Sequence, residues 1–195
     1  MVVLAGGEGR RISGGKPQRL LGGETLLARA LRRARGYGGA LAVSVRDPGQ
    51  LGPSGEAVLL DDPQVPGPLA GIASALRFAA GQGAGAVLTL PCDAPFLPDD
   101  LMDSLQAVLA PGVGVAVARS GGRLHPVCAL WRAGLDQALA AYAATGRGSL
   151  MGLAEAVGWA AADWPAEPVD PFFNINTAAD LAVAERLLGG AETGA

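Results

Sequence analysis

The first sixteen residues constrain this chain more than any other stretch. They read MVVLAGGEGRRISGGK, and the apolar run Met1–Ala5 predicts a buried strand that stops at Gly6 and Gly7. Paired glycines let backbone N–H groups approach an anion, because no Cβ stands in the way. Two arginines and Lys16 follow in the same glycine-rich loop. The stretch predicts a polyphosphate-binding loop at the carboxyl end of a first strand; the alternative is an ordinary glycine-rich surface loop.

Two known phosphate-binding motifs do not fit this loop. A Walker loop needs a glycine where Arg10 stands and a serine or threonine where Pro17 stands. The dinucleotide fingerprint needs a third glycine at the position of Ile12. The loop therefore predicts phosphate binding without assigning the chain to either of these classes.

Composition favours a globular protein that binds an anionic small molecule. The chain has 195 residues, half of them hydrophobic, and a net charge of −3, so a nucleic-acid footprint is not expected. No apolar run is long enough for a membrane span, and no signal peptide is recognisable. The two cysteines, Cys92 and Cys128, lack the spacing of a zinc site and are expected to be buried thiols of a cytoplasmic protein.

Strand patterns alternate with helix patterns along the chain, which predicts a three-layer α/β/α fold around an open sheet. The predicted strands are Met1–Ala5, Ala40–Val45, Ala57–Leu60, Ala86–Leu90, Val113–Ala118, Val127–Trp131 and Gly158–Trp164. The predicted helices are Thr25–Arg35, Leu69–Ala80, Leu101–Leu109, Gly134–Ala144, Ser149–Val157 and Thr177–Leu188. The turn sequence at 120–122 indicates a hairpin, so the sheet is predicted to be mostly parallel with one antiparallel strand. Residues 1–188 are predicted to form one domain and residues 189–195 a disordered tail.

Acidic residues follow two further predicted strands. Asp61 and Asp62 end the third strand, and Asp93 follows the central one. Because ligands of open α/β sheets bind beyond the carboxyl ends of the strands, these residues are expected to meet the basic loop that carries Lys16. Carboxylates beside phosphates call for a divalent cation, and Mg²⁺, which takes one or two carboxylates plus substrate phosphates, fits best. The alternatives are a turn or helix-cap role for Asp93 and an ordinary turn at the other two acids.

Five motifs, in this order, resemble those of the molybdenum cofactor guanylyltransferases, which join GMP to molybdopterin. The first, LAGG at residues 4–7 with Arg11 and Lys16, is shared with many nucleotidyltransferases. The others are PGPLAG at 66–71, PCDAPF at 91–96, HPV at 125–127 and NINT at 174–177. The resemblance spans nearly the whole chain and implies a single-domain, Rossmann-like nucleotidyltransferase fold.

The resemblance also implies roles for particular residues. The implied nucleotide-binding, metal-binding or pterin-binding residues are Leu4, Ala5, Gly6, Gly7, Lys16, Asp62, Asp93, Asn174 and Asn176. Asp93 is the implied Mg²⁺ ligand, and Asp62 is the implied nucleotide-contacting acid, with Asp61 as the alternative. Together with Asp93, Lys16 and Arg11 form the predicted catalytic set, since two cations can stabilise charge on the reacting phosphorus and the leaving pyrophosphate.

The same resemblance implies the substrates and partners. GTP and molybdopterin are the implied substrates, molybdopterin-delivering proteins and molybdoenzymes are the implied protein partners, and a monomer or weak oligomer is expected. The attacking phosphate of molybdopterin is already an anion, so no general base is needed. The single histidine, His125, is accordingly expected to be structural or to line the substrate site. Two alternatives stay open: the same chemistry with CTP or a sugar-phosphate acceptor, and a non-catalytic accessory protein that binds nucleotide or cofactor.

Overall fold

The computed structural model describes residues 1–6, 16–51 and 55–192, without the side chains of residues 50 and 190–192. The strands are β1 (Val2–Leu4), β2 (Leu20–Leu21), β3 (Glu24–Thr25), β4 (Ala42–Val45), β5 (Ala57–Leu60), β6 (Ala86–Pro91), β7 (Val115–Ser120), β8 (Arg123–Arg132) and β9 (Trp159–Trp164). The helices are α1 (Leu26–Gly36), α2 (Leu69–Gly81), α3 (Leu101–Val108), α4 (Asp136–Ala144), α5 (Leu150–Val157) and α6 (Ala178–Glu192). Short 3₁₀ turns cover Lys16–Gln18 and Pro48–Gln50.

Seven of these strands form one sheet in the order β5-β4-β1-β6-β8-β7-β9. Strand β8 is antiparallel to both of its neighbours, and the other pairs in this sheet are parallel. The predicted mostly parallel sheet with one antiparallel strand is therefore confirmed. Strands β2 and β3 form a separate antiparallel pair. The sequence pattern does not predict this pair, because two residues per strand are too few to show an alternation.

The sheet carries helices on both faces because successive side chains of a strand point in opposite directions. Val3 and Val43 pack with α1 and α3 on one side, while Val2 and Ala42 pack with α2, α4 and α5 on the other. Strands buried on both faces appear in the sequence as continuous apolar runs, which is why these elements were predictable. The three layers predicted from the alternation of strands and helices are present.

The last helix is longer than predicted. Helix α6 continues to Glu192, beyond the predicted end at Leu188. The glycine pair at 189–190 indicates a helix end, but a glycine only weakens a helix, by about 1 kcal/mol relative to alanine. No helix among the described residues has both the length and the apolar composition that a bilayer crossing requires.

A large irregularity in β8 lies beside the carboxyl end of β6. Val117 of β7 pairs with Ala129, but the next residue, Ala118, pairs with His125, so residues 126–128 bulge out of the ladder. Thr89 is the last residue of β6 that pairs with β8, and its buried hydroxyl donates a hydrogen bond to the Val127 carbonyl at 2.9 Å. Bulges of this kind bend a strand away from its partner. The bulge therefore separates β8 from the end of β6.

Candidate active site

A cavity of about 330 Å³ opens at the carboxyl edge of the sheet. It lies where β1, β4, β5 and β6 end and where the β8 bulge leaves the ladder, which is the expected location for a ligand in an open α/β sheet. Its lining comprises Leu4, Ala5, Gly6, Lys16, Ser44, Arg46, Asp61, Gly67, Pro68, Gly71, Pro91, Cys92, Asp93, Val127 and Asn174. Apolar walls with a few charged groups are typical of a small-molecule site.

The central feature of this cavity is the contact between Lys16 and Asp93. The Lys16 Nζ donates to the Asp93 Oδ2 at 2.5 Å and to the Asn176 Oδ1 at 2.7 Å. Both members of the ion pair keep 15% of their side-chain surface exposed, so the pair is shielded but still reachable from solvent. The two residues that the sequence places at the ends of different strands are thus in direct contact.

The segment that carries the two asparagines is held against the end of β6. The Ile175 N–H donates to the Asp93 carbonyl at 2.9 Å, and the Ile175 side chain is fully buried. Asn174 on one side of this anchor lines the cavity, and Asn176 on the other side contacts Lys16. The main chain of residues 174–176 is therefore held at a fixed position relative to Asp93.

A capping box at the start of α6 continues this anchor. The Asp180 N–H donates to the Thr177 Oγ1 at 3.1 Å, and the Asp180 Oδ2 accepts from the backbone N–H groups of Thr177 and Asn176 at 2.8 and 2.9 Å. These hydrogen bonds lower the pKa of Asp180, with the Asn176 N–H as the largest cause. Thr177 is thus the N-cap of this helix, and the capping box ties the asparagine segment to the helix.

Asp61, which directly follows β5, is the acidic residue at the end of this strand that lines the cavity. Its Oδ1 accepts from the Ser44 Oγ at 2.5 Å, and its backbone N–H donates to the Val45 carbonyl at 2.8 Å, continuing the β4–β5 ladder. A Cβ on Gly6 would lie 2.6 Å from the Asp61 Oδ2, so the carboxylate occupies the space that a side chain at this position would fill. The glycine is required here by close packing.

Asp62, the acid implied by the resemblance, lies elsewhere. Its carboxylate accepts from the Gln64 N–H at 3.0 Å and from the Arg77 Nη1 at 3.1 Å, and these bonds lower its pKa, with the Gln64 N–H as the largest cause. It does not belong to the described lining of the cavity. The structure therefore brings Asp61 rather than Asp62 to Lys16 and Asp93, and a nucleotide contact by Asp62 stays a prediction.

The other predicted site residues divide into two groups. Leu4, Ala5 and Gly6 line the cavity, as the glycine-loop interpretation requires. Gly7 and Arg11 lie outside the described residues, so their predicted roles stay predictions. Sequence reasoning did not assign Ser44 or the PGPLAG glycines to the site, although Ser44, Gly67 and Gly71 line it. The signal available for the two glycines was their position in the PGPLAG motif, which spans the start of α2.

Two residues near the cavity carry no acid–base chemistry in this arrangement. Burial raises the pKa of Cys92 to about 12, so its thiol stays protonated at neutral pH. His125 is buried, is absent from the described lining of the cavity, and makes its hydrogen bond to Ser120 instead. The interpretation of His125 as structural agrees with this placement.

The donor set of the cavity fits Mg²⁺. Asp93 supplies one carboxylate, and Asn174 and Asn176 carry amide oxygens close by. Within the described ranges, no group of three or more histidine, cysteine or acidic side chains could hold a metal by itself. A metal at Asp93 would therefore need oxygen ligands from a substrate, which is how Mg²⁺ commonly binds beside phosphates.

Comparison with known sequences identifies relatives over almost the full length. Residues 1–157 match the MobA-like NTP transferase domain. A molybdenum cofactor guanylyltransferase of Cereibacter sphaeroides is 43% identical over 190 residues, which cover 96% of this chain and 95% of that protein. A protein of the same name from Nitrobacter hamburgensis is 42% identical over 200 residues, which cover 95% of this chain and 92% of that protein.

Solved structures show the same fold. Molybdopterin-guanine dinucleotide biosynthesis protein A from Archaeoglobus fulgidus superposes with a TM-score of 0.77 at 23% identity, covering 97% of this chain and 98% of that one. 2-C-methyl-D-erythritol 4-phosphate cytidylyltransferase from Thermus thermophilus superposes with a TM-score of 0.68 at 23% identity, with the same coverage of 97% and 98%. Taken with the match of residues 1–157 and the full-length relatives, the chain belongs to the MobA-like NTP transferase family.

Proposed function

We propose that this chain transfers GMP from GTP to the phosphate of molybdopterin, which gives molybdopterin guanine dinucleotide and pyrophosphate. The relatives that bear the name molybdenum cofactor guanylyltransferase support this reaction, because they are 38–43% identical over nearly the entire chain. The observation that carries the proposal in the structure is the contact between Lys16 and Asp93 inside the cavity at the carboxyl edge of the sheet.

The reaction requires positioning and charge neutralisation, and the cavity offers both. An oxygen of the molybdopterin phosphate attacks the α-phosphorus of GTP, the bond from that phosphorus to the bridging oxygen breaks, and pyrophosphate leaves with the electron pair. The nucleophile is already an anion, so a site without a general base suffices. In this proposal the Lys16 ammonium neutralises charge that develops on the phosphoryl oxygens, and the asparagine amides orient those oxygens; the contact between Lys16 and Asn176 supports it.

Mg²⁺ is the proposed cofactor, and Asp93 is its proposed ligand with the neighbouring asparagine amides. Bound there, the ion would neutralise phosphate charge and polarise the reacting phosphoryl group. Lys16, which pairs with Asp93, would neutralise charge on the same triphosphate. Gly7 and Arg11 are proposed to complete the phosphate-binding loop that begins at Leu4–Gly6.

The acid at the end of β5 supports guanine as the base. The Watson–Crick edge of guanine presents two adjacent donors, the N1–H and the 2-amino group, and an ionised carboxylate accepts from both. Cytosine presents a single amino donor beside acceptors that a carboxylate repels. Asp61 supplies such a carboxylate in a cavity with apolar walls, where its orientation is held by Ser44. We therefore propose Asp61 as the residue that favours GTP over CTP.

Turnover with defined substrates tests the proposed function. Purified protein with Mg²⁺ and molybdopterin is supplied with GTP or CTP, and pyrophosphate release and the mass of the dinucleotide product are measured. We expect at least about tenfold higher kcat/KM for GTP, which corresponds to about 1.4 kcal/mol. A preference for CTP, transfer to a sugar phosphate such as glucose 1-phosphate in place of molybdopterin, or tight nucleotide binding without turnover would each contradict the proposal.

Substitutions of the neighbouring acids Asp61 and Asp62 show which of the two contacts the nucleotide base. Asp61→Asn should reduce the ratio of kcat/KM for GTP over CTP by about 10- to 100-fold, because a bidentate contact to a base edge contributes about 1–3 kcal/mol of discrimination. Asp62→Asn should leave the ratio unchanged, since its carboxylate binds Arg77 outside the cavity. The reverse result would assign the base contact to Asp62.

Three further proposals are compatible with these substrates. They are a cytoplasmic location, protein partners that deliver or receive the cofactor, and a monomeric or weakly oligomeric state.

A further inference from the structure

Three polar residues form a hydrogen-bonded chain on the side of the sheet that faces α1 and α3. Ser120 is 2% exposed and His125 is 8% exposed. The Ser120 Oγ lies 2.8 Å from the His125 Nε2 and 2.8 Å from the Asp170 Oδ1. A hydroxyl has one proton, and the carboxylate needs it, so the histidine must donate its Nε2–H to the serine oxygen. The chain therefore runs from His125 to Ser120 to Asp170.

This arrangement does not activate a nucleophile. In a nucleophilic triad the histidine accepts the serine proton and the carboxylate binds the histidine. Here the histidine donates to the serine oxygen instead of accepting its proton, so His125 does not act as a base for Ser120. The hydrogen bonds among the three residues satisfy polar groups that would otherwise be buried without partners. Their role is therefore to hold parts of the fold together, not to supply a nucleophile.

The chain of hydrogen bonds ends at the turn that precedes the asparagine segment. The Asp170 Oδ1 also accepts from the Phe172 N–H at 2.9 Å, and the Asp170 carbonyl accepts from the Phe173 N–H at 3.1 Å. The Phe172 ring stacks on the His125 ring with centroids 4.8 Å apart. The turn at 170–173 is thus attached to the β7–β8 hairpin through both its carboxylate and its aromatic ring.

This attachment lies directly upstream of the active-site amides. On the downstream side, Ile175 and the capping box of α6 hold the segment. On the upstream side, the attachment through Asp170 and Phe172 is two to four residues from Asn174, which lines the cavity. Asn174 is therefore held between two anchors, one on each side.

We infer that His125, Ser120 and Asp170 form a positioning cluster that sets the placement of Asn174 in the active site. None of the three belongs to the described lining of the cavity, so they act through the turn at 170–173. The inference rests on the proposed guanylyl transfer, in which Asn174 orients phosphate oxygens. Misplacing a positioning residue by about 1 Å can reduce the rate by about 100-fold, so small movements of this turn matter.

A double-mutant cycle between Asp170 and Asn174 tests the inference. We expect Asp170→Ala and Asn174→Ala each to lower kcat by at least about tenfold, with a smaller change in the KM for GTP, because the groups act on the reacting phosphates. If Asp170 acts through Asn174, the double variant should be no slower than Asn174→Ala within about a factor of two. A purely structural role would make the two losses multiply, which would overturn the inference.

Two further variants keep the test decisive. Asp170→Asn retains an oxygen that can accept from Ser120 and Phe172, so it should restore at least about a third of the wild-type kcat even if Asp170→Ala folds poorly. A loss equal to that of the alanine variant would overturn the inference. Asp163→Ala removes a carboxylate on the adjacent strand β9 that pairs with Arg119, and it should retain wild-type kcat. If the wild-type protein itself showed no guanylyl transfer, the proposed function would be refuted. The variants test only the positioning role of the cluster.

Discussion

At the scale of single residues, the central feature of the candidate active site is one pair of opposite charges. Lys16 and Asp93 are 77 positions apart in the chain, and their contact is shielded because each keeps only 15% of its side-chain surface exposed. Partial burial lowers the effective dielectric constant around the pair and would strengthen its electrostatic action on a phosphate bound there, as the proposed function requires. The Asn176 amide oxygen accepts a second hydrogen bond from the same ammonium and restricts where it can move.

Removing the Asp93 charge should nearly abolish turnover. Asp93→Asn keeps the shape of the side chain but loses the negative charge that pairs with Lys16 and is proposed to bind Mg²⁺, so we expect kcat to fall by about 100-fold or more. Steady-state pyrophosphate release across a Mg²⁺ titration measures the effect. Asp103→Asn, an exposed carboxylate in α3, is the matched control and should be silent. A loss smaller than about threefold for Asp93→Asn would contradict the assignment.

A methyl group at Gly6 should disturb nucleotide binding more than folding. The new Cβ would meet the Asp61 Oδ2 at 2.6 Å and the Arg46 backbone nitrogen at 3.1 Å, so the Asp61 carboxylate would have to leave Ser44. We expect Gly6→Ala to raise the KM for GTP by about tenfold or more, equivalent to about 1.4 kcal/mol. Gly36→Ala, where an added Cβ meets nothing within 4 Å, should leave the KM unchanged. An unchanged KM for Gly6→Ala would rule out this packing argument.

At the scale of secondary-structure elements, the start of α6 and the bulge in β8 shape the site. The α6 capping box holds the asparagine segment from one side, and the β8 bulge at 126–128 separates that strand from the end of β6. The Thr89 hydroxyl supports the bulge by bonding to the Val127 carbonyl. Irregular backbone is used here to make room for a ligand at the edge of an otherwise regular sheet.

Loss of the α6 cap should reduce stability and activity together. Thr177→Ala removes the acceptor of the Asp180 N–H, which should destabilise the protein by about 1 kcal/mol, since N-cap removal typically costs about 0.5–2 kcal/mol. Because the same box binds the Asn176 N–H, we also expect a lower kcat. Denaturant unfolding and turnover measure the two effects. Thr177→Ser, which keeps the hydroxyl, should behave like the wild type, and equal losses for both variants would exclude a capping effect.

At the scale of the whole molecule, three layers bring distant segments to one edge of the sheet. The cavity receives residues from the first strand, from the ends of β4, β5 and β6, and from the segment before α6. Some residues that hold this edge of the sheet in place are also buried in the protein, so the stability of the fold and the geometry of the site are coupled. The buried His125 is one of them: it hydrogen-bonds to Ser120, which bonds to Asp170, and the Phe172 ring stacks on its ring.

Stability should fall as the pH drops below about 6.5. Burial lowers the pKa of His125, although Asp170 partly opposes the shift and Arg123 adds to it. Between this lowered pKa and the ordinary value of about 6.5, the unfolded chain binds more protons than the folded one, so acid favours unfolding. Burial of the Met1 amine acts in the same direction but at higher pH, from about 8 downward.

A histidine variant isolates this contribution. His125→Gln cannot titrate, and its amide can still donate to Ser120, so its melting temperature should decline less than that of the wild type as the pH falls below about 6.5. Asp62 and Asp180, whose pKa values are lowered by their hydrogen bonds, lose their contribution only in more acidic solution, below about pH 4. Identical pH slopes for wild type and variant would contradict the prediction.

Much of the architecture was predictable because it depends on local pattern. Continuous apolar runs and amphipathic segments indicate the strands of the main sheet and the helices α1 to α6 of the described residues, and the turn at 120–122 indicates the antiparallel strand. The direction of parallel strands then places Lys16 and Asp93 at one edge, which the structure shows in contact. The β2–β3 pair and the end of α6 were not predicted correctly, because very short strands and terminal glycines carry weak signals.

The sequence by itself determined the order of the layers and the edge of the sheet at which Lys16 and the acidic residues meet, since strand polarity follows from the alternation of elements. Only the tertiary structure shows that Asp61, and not Asp62, lines the cavity, because a shift of one residue reverses the direction in which a side chain at a strand end points. Only the tertiary structure joined Ser120 to Asp170 across 50 positions. Contacts of that range depend on how whole elements pack, and neighbouring residues in the chain carry no record of them.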